Sequence, residues 1–241
     1  MEHQRPELIA VALAGLLAVS AVGWLRVHGR KHGPHHASTA KATGTVLRVP
    51  RAKSPVVIDG EFEDPAWHEP ALSGAFLDAQ GAAARPHSEL RAVWDETGLY
   101  LALYAADENI EEKEPVPDGP LWKADAFHLV FEVDGEERQL DIAPHGAVTD
   151  GVRRAGGAVD YTWQSGVRVG SDVDGTVNDR SDDDEEWVEE VAVPWATLGL
   201  QGKAGEQVTV RASRCDVPKS GVKSCGSVRL RLVLAGPEAL P

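Results

Sequence analysis

From Thr45 onward the chain consists of short apolar runs, many alternating with polar residues, each cut off by Gly, Pro, Asp or Asn. An alternating run buries one face of a strand, whereas a helix needs a 3.6-residue period sustained over roughly ten residues, and no such stretch follows Thr45. Two pairs of runs read as hairpins. Glu89–Trp94 and Leu99–Ala105 flank Asp95-Glu96-Thr97-Gly98, and Ala126–Val133 and Glu137–Ala143 flank Asp134-Gly135, a dipeptide that tolerates the positive φ of a tight turn. Gly166–Gly170, Trp187–Val193, Val208–Ser213 and Val228–Leu234 supply further strands. With no helix to cover them, these strands must bury their apolar faces against one another. The expected fold is all-β, a two-sheet antiparallel sandwich of immunoglobulin-like or jelly-roll-like kind, forming one domain over residues 46–241.

Ahead of the strands, Leu8 to Leu25 is an uncharged apolar stretch, expected as an N-terminal hydrophobic helix just long enough to cross a bilayer. Residues 1–25 therefore read as a transmembrane anchor, or as a signal peptide cut after Ala21 in Val19-Ser20-Ala21. Arg26, Arg30 and Lys31 follow the stretch while only Arg5 precedes it, which on the positive-inside rule opposes export. Residues 26–45 carry His28, His32, His35 and His36 among Gly, Pro, Lys, Ser and Thr, a composition that builds no core and reads as a flexible linker.

The formal charge of −14 conceals an asymmetry: residues 1–45 hold five Lys/Arg and two Asp/Glu, leaving 19 basic and 36 acidic residues in the body. So acidic a surface repels phosphate backbones, so nucleic acid is excluded as a partner. Ten carboxylates fall between Asp172 and Glu190, read as a hydrated acidic loop running into a strand. Asp172-x-Asp174-Gly175 allows a calcium reading there, although the EF-hand glycine and terminal Glu are missing. No other cofactor is expected. Cys215 and Cys225, the only cysteines, flank a turn-like segment and are expected to form a disulfide if the domain is exported, to the periplasm or outside the cell.

Seven tryptophans in a chain otherwise poor in aromatics suit either a packed sandwich core or the stacking of sugar rings. Trp187, Val191, Val193 and Trp195 share one parity and are expected in the core, with Trp67 and Trp94 also structural. Trp163, in a loop near Tyr161, is a candidate stacking platform.

Ile58-Asp59-Gly60 leading through Asp64 to Trp67 resembles the opening of carbohydrate-binding module family 9, a DOMON-like sandwich. Arg91–Asp95 with Leu99–Leu101, Leu121-Trp122-Lys123-Ala124-Asp125, Gly175–Val177, Trp187 to Trp195, and Arg214 resemble later landmarks of that family in the same order, over roughly residues 46–235. The resemblance implies a non-catalytic module that binds a polysaccharide or oligosaccharide, often in support of polysaccharide catabolism. It places Trp122 as one wall of an aromatic clamp and makes Asp125, His128 and Arg214 its polar companions. Two departures stand out. His128 replaces a usual acidic residue, and the loop Lys219–Cys225, where a second stacking Trp is expected, has no aromatic at all.

Other classes find less support. No GxSxG, HExxH or phosphate-cradling glycine loop is present, so glycoside hydrolysis by the chain alone would rest on carboxylate abundance. Haem would have to use His128 or His145, because Met1 is the only methionine. A structural or protein-binding sandwich on the cell envelope, its sugar site lost, is the strongest rival.

Overall fold

The computed structural model describes residues 45–112 and 119–236. The apolar segment 8–25, the Ala21 cleavage site and the histidine linker up to residue 44 lie outside the described residues. Among the described residues no helix is long and apolar enough to cross a membrane.

Two sheets form a sandwich. The strands are β1 (Thr45–Val49), β2 (Ala71–Leu72), β3 (Ser88–Trp94), β4 (Gly98–Ala106), β5 (Ala126–Val133), β6 (Glu136–Ile142), β7 (Val148–Arg154), β8 (Val159–Asp160), β9 (Arg168–Asp174), β10 (Glu186–Pro194), β11 (Gln207–Asp216) and β12 (Ser224–Leu234). A seven-stranded sheet runs β1-β12-β11-β5-β6-β7-β8 and a five-stranded sheet runs β2-β3-β4-β10-β9. All pairings are antiparallel except β1 with β12. The one described α-helix, α1 (Trp195–Leu198), is a single turn.

Both expected hairpins form, and Asp134 and Gly135 take the positive φ values (49° and 81°) that the two-residue turn demands. Phe127, Leu129 and Phe131 of β5 face Trp187, Val191 and Val193 of β10 within one core, with Phe127 and Trp187 edge to face at 4.8 Å. Trp94 and Trp195 complete it at 6.1 Å, and Trp195 Nε1 donates to the Asp95 carbonyl. Glu189 shares the parity of Trp187 and Val191 and enters the core with them. Burial pushes its carboxyl well above the usual range, against the pull of the Gly146 N–H and with the Glu112 charge adding to the rise.

The two sheets differ in how their outer faces are covered. β11 and β12 alternate between buried and open positions, as one-sided strands must, whereas β4 and β10 are buried almost throughout. The cover over β4 and β10 is the chain that precedes the 3-10 turn Pro65–Trp67: Val56, Ile58, Phe62 and Trp67 pack on Val93, Tyr100, Ala102 and Ala192. One side chain holds this cover in place. The Glu190 carboxylate accepts from the N–H groups of Asp59 and Gly60, both at 2.9 Å, and from Trp67 Nε1 at 2.6 Å. Gly60 is required there: its φ is +90°, and a Cβ would lie 2.3 Å from the Ser171 carbonyl carbon.

The acidic segment is an exposed loop over most of residues 175–185, but its start is not. Asp172 and Asp174 lie on β9, opposite Val188 and Glu186 of β10, so the Asp172-x-Asp174 pair sits on a strand. Asp184 is buried and accepts from the Ile110 and Thr176 N–H groups.

Candidate functional site

Strand β11 separates two polar environments, one on each side of the seven-stranded sheet. On the inner side, Val208, Val210 and Ala212 are followed in the same parity by Arg214 and Asp216, all buried. The Arg214 guanidinium donates to Asp107 (2.5 Å), Asp216 (2.9 Å) and the Ala106 carbonyl (3.0 Å), and it lies 5.9 Å from the centre of the Trp187 ring, whose Nε1 also donates to Asp107. Asp125 closes this knot. It is fully buried and accepts from the N–H groups of Glu111 (2.6 Å) and Val217 (2.7 Å), tying the entrance to β5 to the exit of β11.

Burial pushes the Asp125 carboxyl up to about 7, with the neighbouring Asp107 charge adding to the effect, and burial likewise lifts Asp216 to about 6 against the pull of Arg214. Among the described residues, Asp107, Asp125 and Asp216 are the one carboxylate set close enough to share a cation, their ligand atoms lying within 4.8 Å of one another. The Arg214 guanidinium already supplies positive charge to two of them. Arg214 and Asp125 thus brace the sandwich, and neither has a side chain open to a ligand.

The outer side differs. Register aligns Ser227, Ser213, His128, Asp141 and Thr149 in one polar row across β12, β11, β5, β6 and β7. His128 Nδ1 lies 2.6 Å from Asp141 Oδ1, and its side chain remains 39% exposed while that of Asp141 is covered. The chain before β5 crosses the end of this face: the Gly119 carbonyl accepts from Thr149 Oγ1, and three residues later the Trp122 carbonyl accepts from Lys223 Nζ at 2.6 Å, just ahead of β12. The 3-10 turn Leu121–Lys123 buries Leu121 and leaves Trp122 42% exposed. Beside it the Cys215–Cys225 disulfide joins directly paired residues of β11 and β12, closing the loop that carries Lys223.

Comparison with known proteins decides what this framework is. The family model described as "Carbohydrate family 9 binding domain-like" matches residues 58–225. The chain belongs to that family. No curated protein sequence matches it. Among solved structures, a family 9 carbohydrate-binding module from Caldicellulosiruptor kristjanssonii in complex with cellotriose superposes with a TM-score of 0.55 at 12% identity, covering 82% of this chain and 98% of that one. The structure of a family 9 module from the same organism in complex with glucose gives 0.54 at 13%, covering 80% and 98%. A putative carbohydrate-binding protein from Bacteroides uniformis gives 0.60 at 11%, covering 83% and 94%. At these identities the likeness carries the fold and nothing finer.

Within this family 9 domain, Trp122 and His128 are the sequence-selected residues that reach the outer face; Arg214 and Asp125 lie inside. Trp163 sits elsewhere, half-buried, with its ring 6.0 Å from the Arg138 guanidinium, which is itself bonded to the carbonyls of Ala196 and Thr197 in α1. Lys223 and Asp141 were not selected by sequence reasoning. Lys223 had only the missing aromatic in its loop to draw attention to it, and Asp141 could have been found by pairing the two arms of the Asp134-Gly135 hairpin, which sets it opposite His128.

Proposed function

We propose that this domain is a non-catalytic carbohydrate-binding module that holds an oligosaccharide or polysaccharide chain on the outer face of the seven-stranded sheet, at the rim formed by Trp122, His128 and Lys223. The observation that carries this reading is the placement of Trp122. Its ring is exposed, yet its backbone is fixed from two sides, so it offers a stacking surface at little ordering cost. His128 and Ser213 supply hydroxyl partners along the row beneath. The cellotriose and glucose complexes of the Caldicellulosiruptor modules support sugar as the ligand class. The disulfide supports an oxidising location, periplasmic or extracellular, with residues 8–25 as anchor or leader.

The test is calorimetric titration with neutral and acidic oligosaccharides. At least one should bind, and Trp122→Ala should weaken it about tenfold, the loss of a stacking surface worth on the order of 1–2 kcal/mol, with the melting temperature nearly unchanged. Equal affinity in a folded Trp122→Ala protein would remove Trp122 from the site. The absence of a second aromatic in Lys219–Cys225 favours one other reading, a protein-binding envelope scaffold, which predicts no glycan binding at all.

A further inference from the structure

Resting on the carbohydrate-binding reading, we infer that the ligand is an acidic glycan, a chain bearing uronic acid carboxylates, held with a ring over Trp122 and its carboxylate toward the surrounding cations. The argument starts from how positive charge is distributed. Most cationic side chains of the described body are already engaged by carboxylates. On the seven-stranded sheet Arg153 and Arg211 pair with Glu137, Arg154 with Glu136, and Arg229 with Glu132, while Arg180 is taken by Glu111 and Lys219 by Asp183. The described cations that stand in no ion pair with a described carboxylate are Arg48, Arg85, Lys123, Arg168, Lys203, Lys223 and Arg231.

Two of these, Lys123 and Lys223, stand at Trp122, and the backbone of a third, Arg85, adjoins the loop that carries Lys223. Lys123 follows Trp122 in the same 3-10 turn, exposed and in no ion pair with a described residue. Lys223 reaches it from the opposite loop, and among the described residues its bond is to the neutral Trp122 carbonyl. Arg85 stands beside that loop, exposed and in no ion pair with a described residue, its carbonyl accepting from Ser224 Oγ at 3.0 Å. Lys223 lies in the loop where the family resemblance leads one to expect a second aromatic wall. An aromatic pair suits a neutral ring that presents C–H groups on both faces. One ring flanked by ammonium groups suits a sugar with a C–H face on one side and an anionic substituent at its edge. Ammonium groups left without counter-charge beside an exposed ring also draw an anionic chain toward this rim of an acidic protein.

The experiment titrates the full chain with oligogalacturonate and with the length-matched neutral galactan oligosaccharide, each at low and high sodium chloride. The acidic ligand is expected to bind about tenfold tighter at low salt, with the advantage shrinking severalfold at high salt. In the K123Q/K223Q double variant the acidic preference should fall to within about threefold of unity. Neutral binding equal to or tighter than acidic binding in the wild type overturns the inference and leaves the carbohydrate-binding function standing. Binding of neither ligand, nor of any glycan in the broader titration, overturns both. An acidic preference that survives intact in K123Q/K223Q overturns the assignment to these lysines.

Discussion

The two sides of β11 use polar residues for opposite ends. Inside, Arg214 is enclosed by Asp107, Asp216 and the Ala106 carbonyl, and Asp125 is spent on two backbone N–H groups. Outside, at the next positions along the same strand, Ser213 lies beside a half-open His128 and Cys215 fastens the loop that meets Trp122. A charged residue matched to a family landmark is therefore no guide to where a ligand sits. The inner set has every feature of a recognition cluster except access, and the outer set is chemically sparse but open.

The sharpest way to break this comparison is to remove the guanidinium. Arg214→Ala leaves Asp107 and Asp216 buried without their counter-charge, and the expected cost is about 3–5 kcal/mol of stability. Chemical denaturation should show it as a lower midpoint at unchanged slope. If the variant instead melts like the parent and loses glycan affinity, Arg214 works outward and the inner knot is not a brace.

The next effect in size belongs to the link between the sides. Closing a loop of ten residues' separation by the Cys215–Cys225 bridge contributes about 3 kcal/mol on chain-entropy grounds. Replacing both cysteines with serine should cost about that much and also loosen the loop bearing Lys223, so glycan affinity should fall along with stability. An affinity unaffected by the double replacement would mean that the β11–β12 loop does not shape the rim.

Much of this was legible in the residues. The hairpins at Asp95–Gly98 and Asp134-Gly135, the core parity of Trp187, Val191 and Val193, and the cysteine pair all follow from local chemistry. The parity of Arg214 with Val208, Val210 and Ala212 was equally visible and places it in the core, but the family match drew attention to its charge instead. Other features were hidden because they depend on distant contacts. Glu190, beside Glu189 in an otherwise apolar run, pins a segment some 130 positions earlier in the chain. Asp172 and Asp174 read as loop by composition and are strand because β10 offers them an edge. Nothing local to Lys223 says that it meets Trp122.

The last effect expected is a pH dependence that rests on buried carboxylates away from the rim. Burial raises Asp125 and Glu190 to about 7 and Asp216 to about 6, so between pH about 4 and 7 the native state holds protons that the unfolded chain has released. Stability from these groups is complete below the unfolded value near 4 and is lost as the pH rises through 6 to 7. Asp95 shifts the other way. Bonds from Thr97, Gly98 and Tyr100 outweigh its desolvation and lower it, so its contribution is lost only on acidification below about 4, outside this window. The melting temperature should therefore fall between pH 5 and pH 8. Asp125→Asn should flatten part of that slope, at the cost of one of the two acceptors that Glu111 and Val217 use, and should leave glycan affinity within about twofold. A melting temperature that stays level or rises over this range would show that these buried carboxylates are already ionised in the folded protein. A glycan affinity that tracked the Asp125→Asn change would show that the two sides of β11 are coupled after all.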